Sequence, residues 1–181
     1  MNRDESPGRY SDISIALHWL MLLLFVAVYA TIELRELYPR GSDPREALKG
    51  WHFTLGLTVF ALVWLRIAAR LAFPAPAPLD EPWWRSAAAT AMHLALYALM
   101  IAMPLAGWLI LSAEGDPVPF FGLRVPALAG PDAALAERVE TLHELGGTIG
   151  YWLIGLHAAA SLFHQYVLKD RLMARMRPLR A

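Results

Sequence analysis

Between Ile13 and Ile32 twenty residues pass with a single ionisable side chain, His18. Wound as a helix, a run of that length crosses a hydrocarbon layer about 30 Å thick. Inside such a layer no water satisfies backbone polar groups, so only helices and closed barrels are stable. Three further apolar runs follow: Trp51–Phe73, Ser86–Ala113 and Thr141–Leu168. The expected fold is all-α, an integral-membrane four-helix bundle. It forms one domain over 1–181, with spans at about 13–32, 51–73, 86–113 and 141–168. The first span is expected to stay in the mature protein, because Met1–Asp12 is polar and no small-residue cleavage site follows.

The connectors differ in character. Residues 33–50 read as a charged loop and 74–84 as a proline-rich connector. Residues 114–140 read as a long loop that ends in a short helix, PDAALAERVETLHE, entering the fourth span. Pro104 lies late in the third span, where a kink is expected. Charge sets the orientation. With the N-terminus inside, the inner segments carry Arg3, Arg9, Arg66, Arg70, Arg85 and, in the basic tail, Lys169, Arg171, Arg175, Arg177 and Arg180. The outer loops carry Arg35, Arg40, Arg45, Lys49, Arg124 and Arg138. Ten against six favours N-in, C-in.

Composition removes several function classes. Sixteen basic and sixteen acidic residues cancel, which leaves no case for nucleic-acid binding. There is no cysteine, so disulfides, iron–sulfur clusters, cysteine-bound zinc and covalently attached haem are excluded. A cofactor, if present, is held non-covalently.

The histidines then stand out. TLHELGGTIGYWLIGLHAAASLFHQYVL, residues 141–168, carries three of the six. His143 and His157 are fourteen residues apart, four helical turns, and so fall on one face roughly 21 Å apart along the axis. His164 continues the series one heptad on. Ionisable groups facing inward from an apolar span point to function, and histidine is a common axial ligand of haem iron. Depth arithmetic pairs the others across helices. His52 and His143 open their spans at the outer end, whereas His18 and His157 lie at a similar inner depth. Each pair suits one haem b. His93 lies at that inner depth too and His164 further in, so both compete for the inner haem. Gly56, Gly146, Gly147 and Gly150 give room for a porphyrin edge, or alternatively for close helix packing. Arg66 and Arg70 are expected to snorkel to the inner headgroups rather than meet haem propionates.

Three stretches carry a resemblance. GYWLIGLHAAASLFHQYVLKD resembles the last span of the bacterial cytochrome b561 family, HLALYALMIAMPLAGW from His93 its third, and ISIALHWLMLLL its first. The PRGSD loop and the histidine opening span two also fit, and the likeness covers nearly the whole chain. The resemblance implies a four-helix cytochrome of the bacterial inner membrane holding two b haems. Carried over, the implied ligands are His18, His52, His143 and His157. The length and compact loops resemble the branch that oxidises superoxide at the outer face and reduces ubiquinone, a superoxide:ubiquinone oxidoreductase.

On that reading the residues divide the work. Arg35 and Arg40, beside His52, are candidates for steering superoxide, although interleaved acids oppose them. His164, with His93 as a second candidate, fits a quinone site that needs protons. The partners are the lipid bilayer, quinone and superoxide; a protein partner is not required. The nearest alternative is an electron-transfer subunit of a hydrogenase- or dehydrogenase-type complex. A metal transporter would want carboxylates inside the spans, and essentially none are there. A purely structural membrane protein would not need ligands at matching depths.

Overall fold

The computed structural model describes residues 8–77, 81–170 and 172–177. Arg3, Arg171 and Arg180, counted above with the inner charges, lie outside the described residues, as do 78–80 of the connector.

Four long helices form, and each boundary has a local cause. Helix α1 (Asp12–Leu34) starts at Ser11, whose hydroxyl accepts the Ser14 N–H at 3.2 Å. A 3-10 turn, Arg35–Leu37, follows it. Helix α2 (Asp43–Ala72) starts with Pro in its first turn, where a missing N–H costs nothing. Helix α3 (Trp83–Glu114) begins after Pro82 and stops at Gly115, whose φ of 80° ends it in the left-handed region. Helix α4 (Ala133–Phe163) is capped by Asp132, which accepts the Leu135 N–H at 3.0 Å.

Some expectations change here. The loop expected over 33–50 is largely helical: only 38–42 lie between the 3-10 turn and α2. The short helix expected before the fourth span is continuous with it, because no glycine or proline interrupts Ala133–Leu145. The loop over 114–140 holds a hairpin that periodicity missed, strands β1 (Val118–Phe120) and β2 (Leu123–Val125), antiparallel with Pro119 opposite Arg124. Strands of three residues are too short to show alternation. Pro104 sits inside α3 without ending it.

Helix α1 packs on α2, α2 on α3 and α3 on α4, whereas α1 and α4 keep their backbones apart and touch through side chains. One buried cluster, Met21, Val59, Val63 and Met100, joins the first three helices. A second, Leu57, Leu111 and Val118, seats the hairpin against α2 and α3. Trp108 Nε1 donates to the Pro126 carbonyl at 2.9 Å, which ties down the segment beyond the hairpin.

Outward, the surface is apolar. Leu23, Val26, Leu65, Leu94, Trp152 and Leu156 are all more than half exposed. A water-soluble surface rarely exposes so much apolar area without a partner. Helices α1, α2 and α3 are each long and apolar enough to cross a membrane. Together these features make the chain a membrane protein.

Candidate haem sites

The bundle has two ends. The hairpin end holds the C-terminus of α1, the start of α2, the end of α3 and the start of α4. The terminal end holds the opposite helix ends. Histidines gather at both.

At the hairpin end His52, on α2, faces His143, on α4, with ring centroids 6.1 Å apart. Two imidazoles bound to opposite sides of one metal, each nitrogen about 2.0 Å away, hold their centroids roughly 6 Å apart. The Nδ1 of His52 lies 3.1 Å from the Val28 carbonyl. A carbonyl can only accept, so this nitrogen carries the hydrogen and Nε2 keeps its lone pair for a metal. The Nδ1 of His143 is buried beside the Met103 backbone of α3, without a well-formed hydrogen bond among the described residues. Gly107 of α3 lies against this ring; a Cβ there would meet His143 Cε1 at 3.5 Å. The residues therefore fit a bis-imidazole haem.

At the terminal end three histidines converge. His18 of α1 and His157 of α4 have centroids 6.3 Å apart, and His93 of α3 lies 5.8 Å from His157. Both separations suit the same geometry, so His157 has two neighbours at ligand distance. The Nη2 of Arg66 lies 3.2 Å from His18 Nδ1. Arginine only donates, so here Nδ1 is the acceptor and Nε2 carries the hydrogen. Ligation through Nε2 would require Arg66 to withdraw and the tautomer to change. Arg66 thus points inward at a histidine instead of snorkelling. Arg70 takes a different course, 5.7 Å from the centroid of the Tyr10 ring.

The glycines divide. A Cβ on Gly56 or Gly147 would meet nothing within 4 Å, so those faces are open. At Gly146 and Gly150 the packing reading prevails. A Cβ would collide with the Met103 sulfur at the first and with the Tyr29 hydroxyl at the second. The Tyr29 hydroxyl donates to the Gly147 carbonyl at 3.0 Å, and its ring tilts on Tyr151 at 4.2 Å. Tyr151 in turn donates to Glu33 at 2.6 Å.

The remaining candidates are dispersed. His164 stands apart from the histidine cluster and pairs with Asp170. Arg35 and Arg45 both bond Glu36, at 3.1 and 2.7 Å. Arg40 is exposed and has no ion pair among the described residues. Lys49 lies 5.9 Å from the centroid of the Phe53 ring. A shallow groove of about 250 Å³ opens beside them between Trp51, Thr54, Pro119 and Phe121. Among the described residues no group of three or more His, Asp or Glu side chains, the histidine cluster included, is arranged to hold a bare metal ion.

Sequence reasoning missed two partners. Arg66 had a readable signal: it lies fourteen residues after His52, as His157 lies after His143. Asp170 had none, because a straight continuation of α4 would put it on another face from His164.

A membrane-embedded helical bundle with paired imidazoles at both ends is the scaffold of a b-type cytochrome. A family model described as prokaryotic cytochrome b561 matches residues 9–178, and the chain belongs to that family. Its members are electron-transfer membrane proteins that bind haem b. Cytochrome b561 homolog 1 of Escherichia coli K12 is 34% identical over 174 residues, 96% of this chain and 99% of the relative. A probable superoxide oxidase, CybB, of Yersinia pestis is 37% identical over 171 residues, 94% and 96% of the two chains. Cytochrome b561 homolog 2 of Escherichia coli K12 is 30% identical over 189 residues, 97% and 95%.

Proposed function

We propose that this chain is a di-haem superoxide oxidase of the bacterial inner membrane, passing electrons from superoxide at the outer face to ubiquinone. The observation that carries the reading is the presence of imidazole pairs with centroids about 6 Å apart at both ends of one bundle. The similarity to a probable superoxide oxidase supports the choice of donor. In this reading the bundle lies N-in, C-in, so the hairpin end faces outward, and α4 is the fourth span.

His52 and His143 would hold the outer haem, and His18 and His157 the inner one. Haem held by two imidazoles carries single electrons and leaves no coordination position open to oxygen. Val28 orients His52 through its carbonyl. Arg66, on leaving the Nδ1 of His18, would still keep a positive charge at the inner level and so favour an electron's residence there.

At the outer face a positive field draws in a small anion. Arg35 shares Glu36 with Arg45, so part of its charge is cancelled, and Arg40 carries more of the steering. At the inner end ubiquinone needs two electrons and two protons, and His164 supplies protons, with His93 beside the inner haem. Two superoxide anions, one quinone and two protons give two dioxygen molecules and one quinol.

The deciding experiment is a reduced-minus-oxidised visible spectrum of the purified chain, with haem counted per polypeptide, before and after superoxide. Two b haems reduced by superoxide and reoxidised by ubiquinone are expected. Haems that ignore superoxide yet react with quinone would replace this reading with a partner-fed electron-transfer subunit.

A further inference from the structure

At the terminal end of α4 the helical ladder widens. Residues His164–Leu168 form a π-helical turn, and Lys169 follows with a φ of 55°, a left-handed conformation unusual for a side chain of its size. Such π turns recur where a helix is bent for a functional purpose. Here the turn folds the chain back, so that the Asp170 carboxylate meets Nδ1 of His164. The second carboxylate oxygen accepts the Leu172 N–H at 3.0 Å.

The turn is clamped from outside. Residues Leu172–Met176 form a 3-10 helix. Trp19 Nε1 donates to the Met176 carbonyl at 2.9 Å, and the Tyr10 N–H donates to that of Arg175 at 3.2 Å. Trp19 directly follows His18, so this clamp reaches the inner histidine cluster through one peptide bond.

We propose that Asp170 is a positioning residue that fixes the tautomer of His164 and so makes its Nε2 the proton donor to bound quinone. The proposal rests on the reading of quinone reduction at this end. An ionised carboxylate only accepts, so Nδ1 carries the hydrogen and Nε2 is the nitrogen left to exchange a proton. Both carboxylate oxygens are engaged, which holds the side chain in this orientation. The side chains are mostly sheltered, 18% exposed for His164 and 25% for Asp170. The Nε2–H of the imidazolium breaks and an O–H forms on the quinone, whose electrons come from superoxide by way of the haems. The ring is left neutral with its Nδ1–H on Asp170; a proton from the inner water returns to Nε2, and a second such transfer, with the second electron, completes the quinol.

A purely structural clasp and a positioning residue part company in Asp170→Asn. The amide oxygen still accepts the Leu172 N–H, but an NH₂ now faces Nδ1 and forces the hydrogen onto Nε2 of the neutral ring. Inverting a histidine tautomer this way is costly wherever the ring must transfer a proton.

The test uses the purified, haem-loaded full chain in stopped flow. Haem reduction by superoxide and haem reoxidation by a short-chain ubiquinone are followed separately. Asp170→Asn is expected to slow reoxidation on the order of ten-fold or more, leaving haem content and reduction rate unchanged. His164→Gln should slow it as much, and the double variant no further. If His164→Gln is slow but Asp170→Asn reoxidises at the wild-type rate, the positioning role is overturned while the quinone reading stands. If His164→Gln matches wild type, the quinone assignment to His164 fails and takes this proposal with it. Should Asp170→Asn lose haem, Asp170→Glu replaces it. The glutamate keeps the charge but displaces the ring, so slowed reoxidation is again expected and a wild-type rate overturns the proposal.

Discussion

Each imidazole in this bundle is defined by what its second nitrogen does. Val28 leaves Nε2 of His52 free for a metal, while Arg66 does the reverse at His18. We expect His52→Ala and His143→Ala each to remove the same haem, and His18→Ala and His157→Ala the other. Haem stoichiometry and the redox spectrum of each variant check the pairing; loss of the inner haem in His93→Ala with retention in His18→Ala would reassign the ligand. Packing at Gly150 makes a second expectation. Gly150→Ala drives a methyl into the Tyr29 hydroxyl and Leu99, which should cost roughly 1–3 kcal/mol. Tyr29→Phe alone loses one hydrogen bond, about 1 kcal/mol. In the double variant the removed oxygen makes room for the methyl, so the combined loss should be smaller than the sum. Unfolding midpoints in detergent measure all three.

Element by element, a repeat of fourteen residues runs through the bundle. His52 and Arg66 on α2, His93 and Gly107 on α3, and His143 and His157 on α4 all keep it. Four helical turns bring the chain back to nearly the same face, so each of these three helices presents one residue to each site. That is why the sites were legible from spacing, and also why α4 reads poorly as a span. Its histidines, and the glycines that let Tyr29 and Met103 pack against it, are polar or small and lower its hydropathy, so the most apolar stretch of α4 is less apolar than those of the other three helices. The start of α4 makes a separate expectation. Asp132→Ala removes the side-chain cap on Leu135 N–H and should cost about 1 kcal/mol. Faster amide exchange over the first turn of α4, with the terminal-end histidine site unaffected, would be the sign of it.

Over the whole molecule, charge and orientation become measurable. Arg40→Glu should lower the rate of haem reduction by superoxide a few-fold, and raising ionic strength should weaken the wild-type rate in the same direction. Arg35→Glu should do less, because that charge is already shared with Glu36. Reduction by an uncharged donor should not respond to either change, which separates steering from damage. The chain has no cysteine, so single introduced thiols report topology cleanly. In sealed spheroplasts Arg124→Cys, on the hairpin, should react with an impermeant maleimide, and Arg177→Cys only after the membrane is opened. The opposite pattern would invert the bundle and move superoxide to the other end.

What the sequence alone determined was everything that depends on periodicity and length. Long apolar runs with no water to satisfy their backbones must be helices, and histidines at helical multiples must share a face. The tertiary structure decided whatever depends on a chain reversal or on two helices meeting. The hairpin over 118–125, the packing of Tyr29 into Gly150 and the inward turn of Arg66 are of this kind. So is the return of Asp170 to His164, made possible by one π turn and one left-handed lysine. Periodicity extends a helix in a straight line; where the ladder breaks, only the neighbouring elements determine which side chains come into contact.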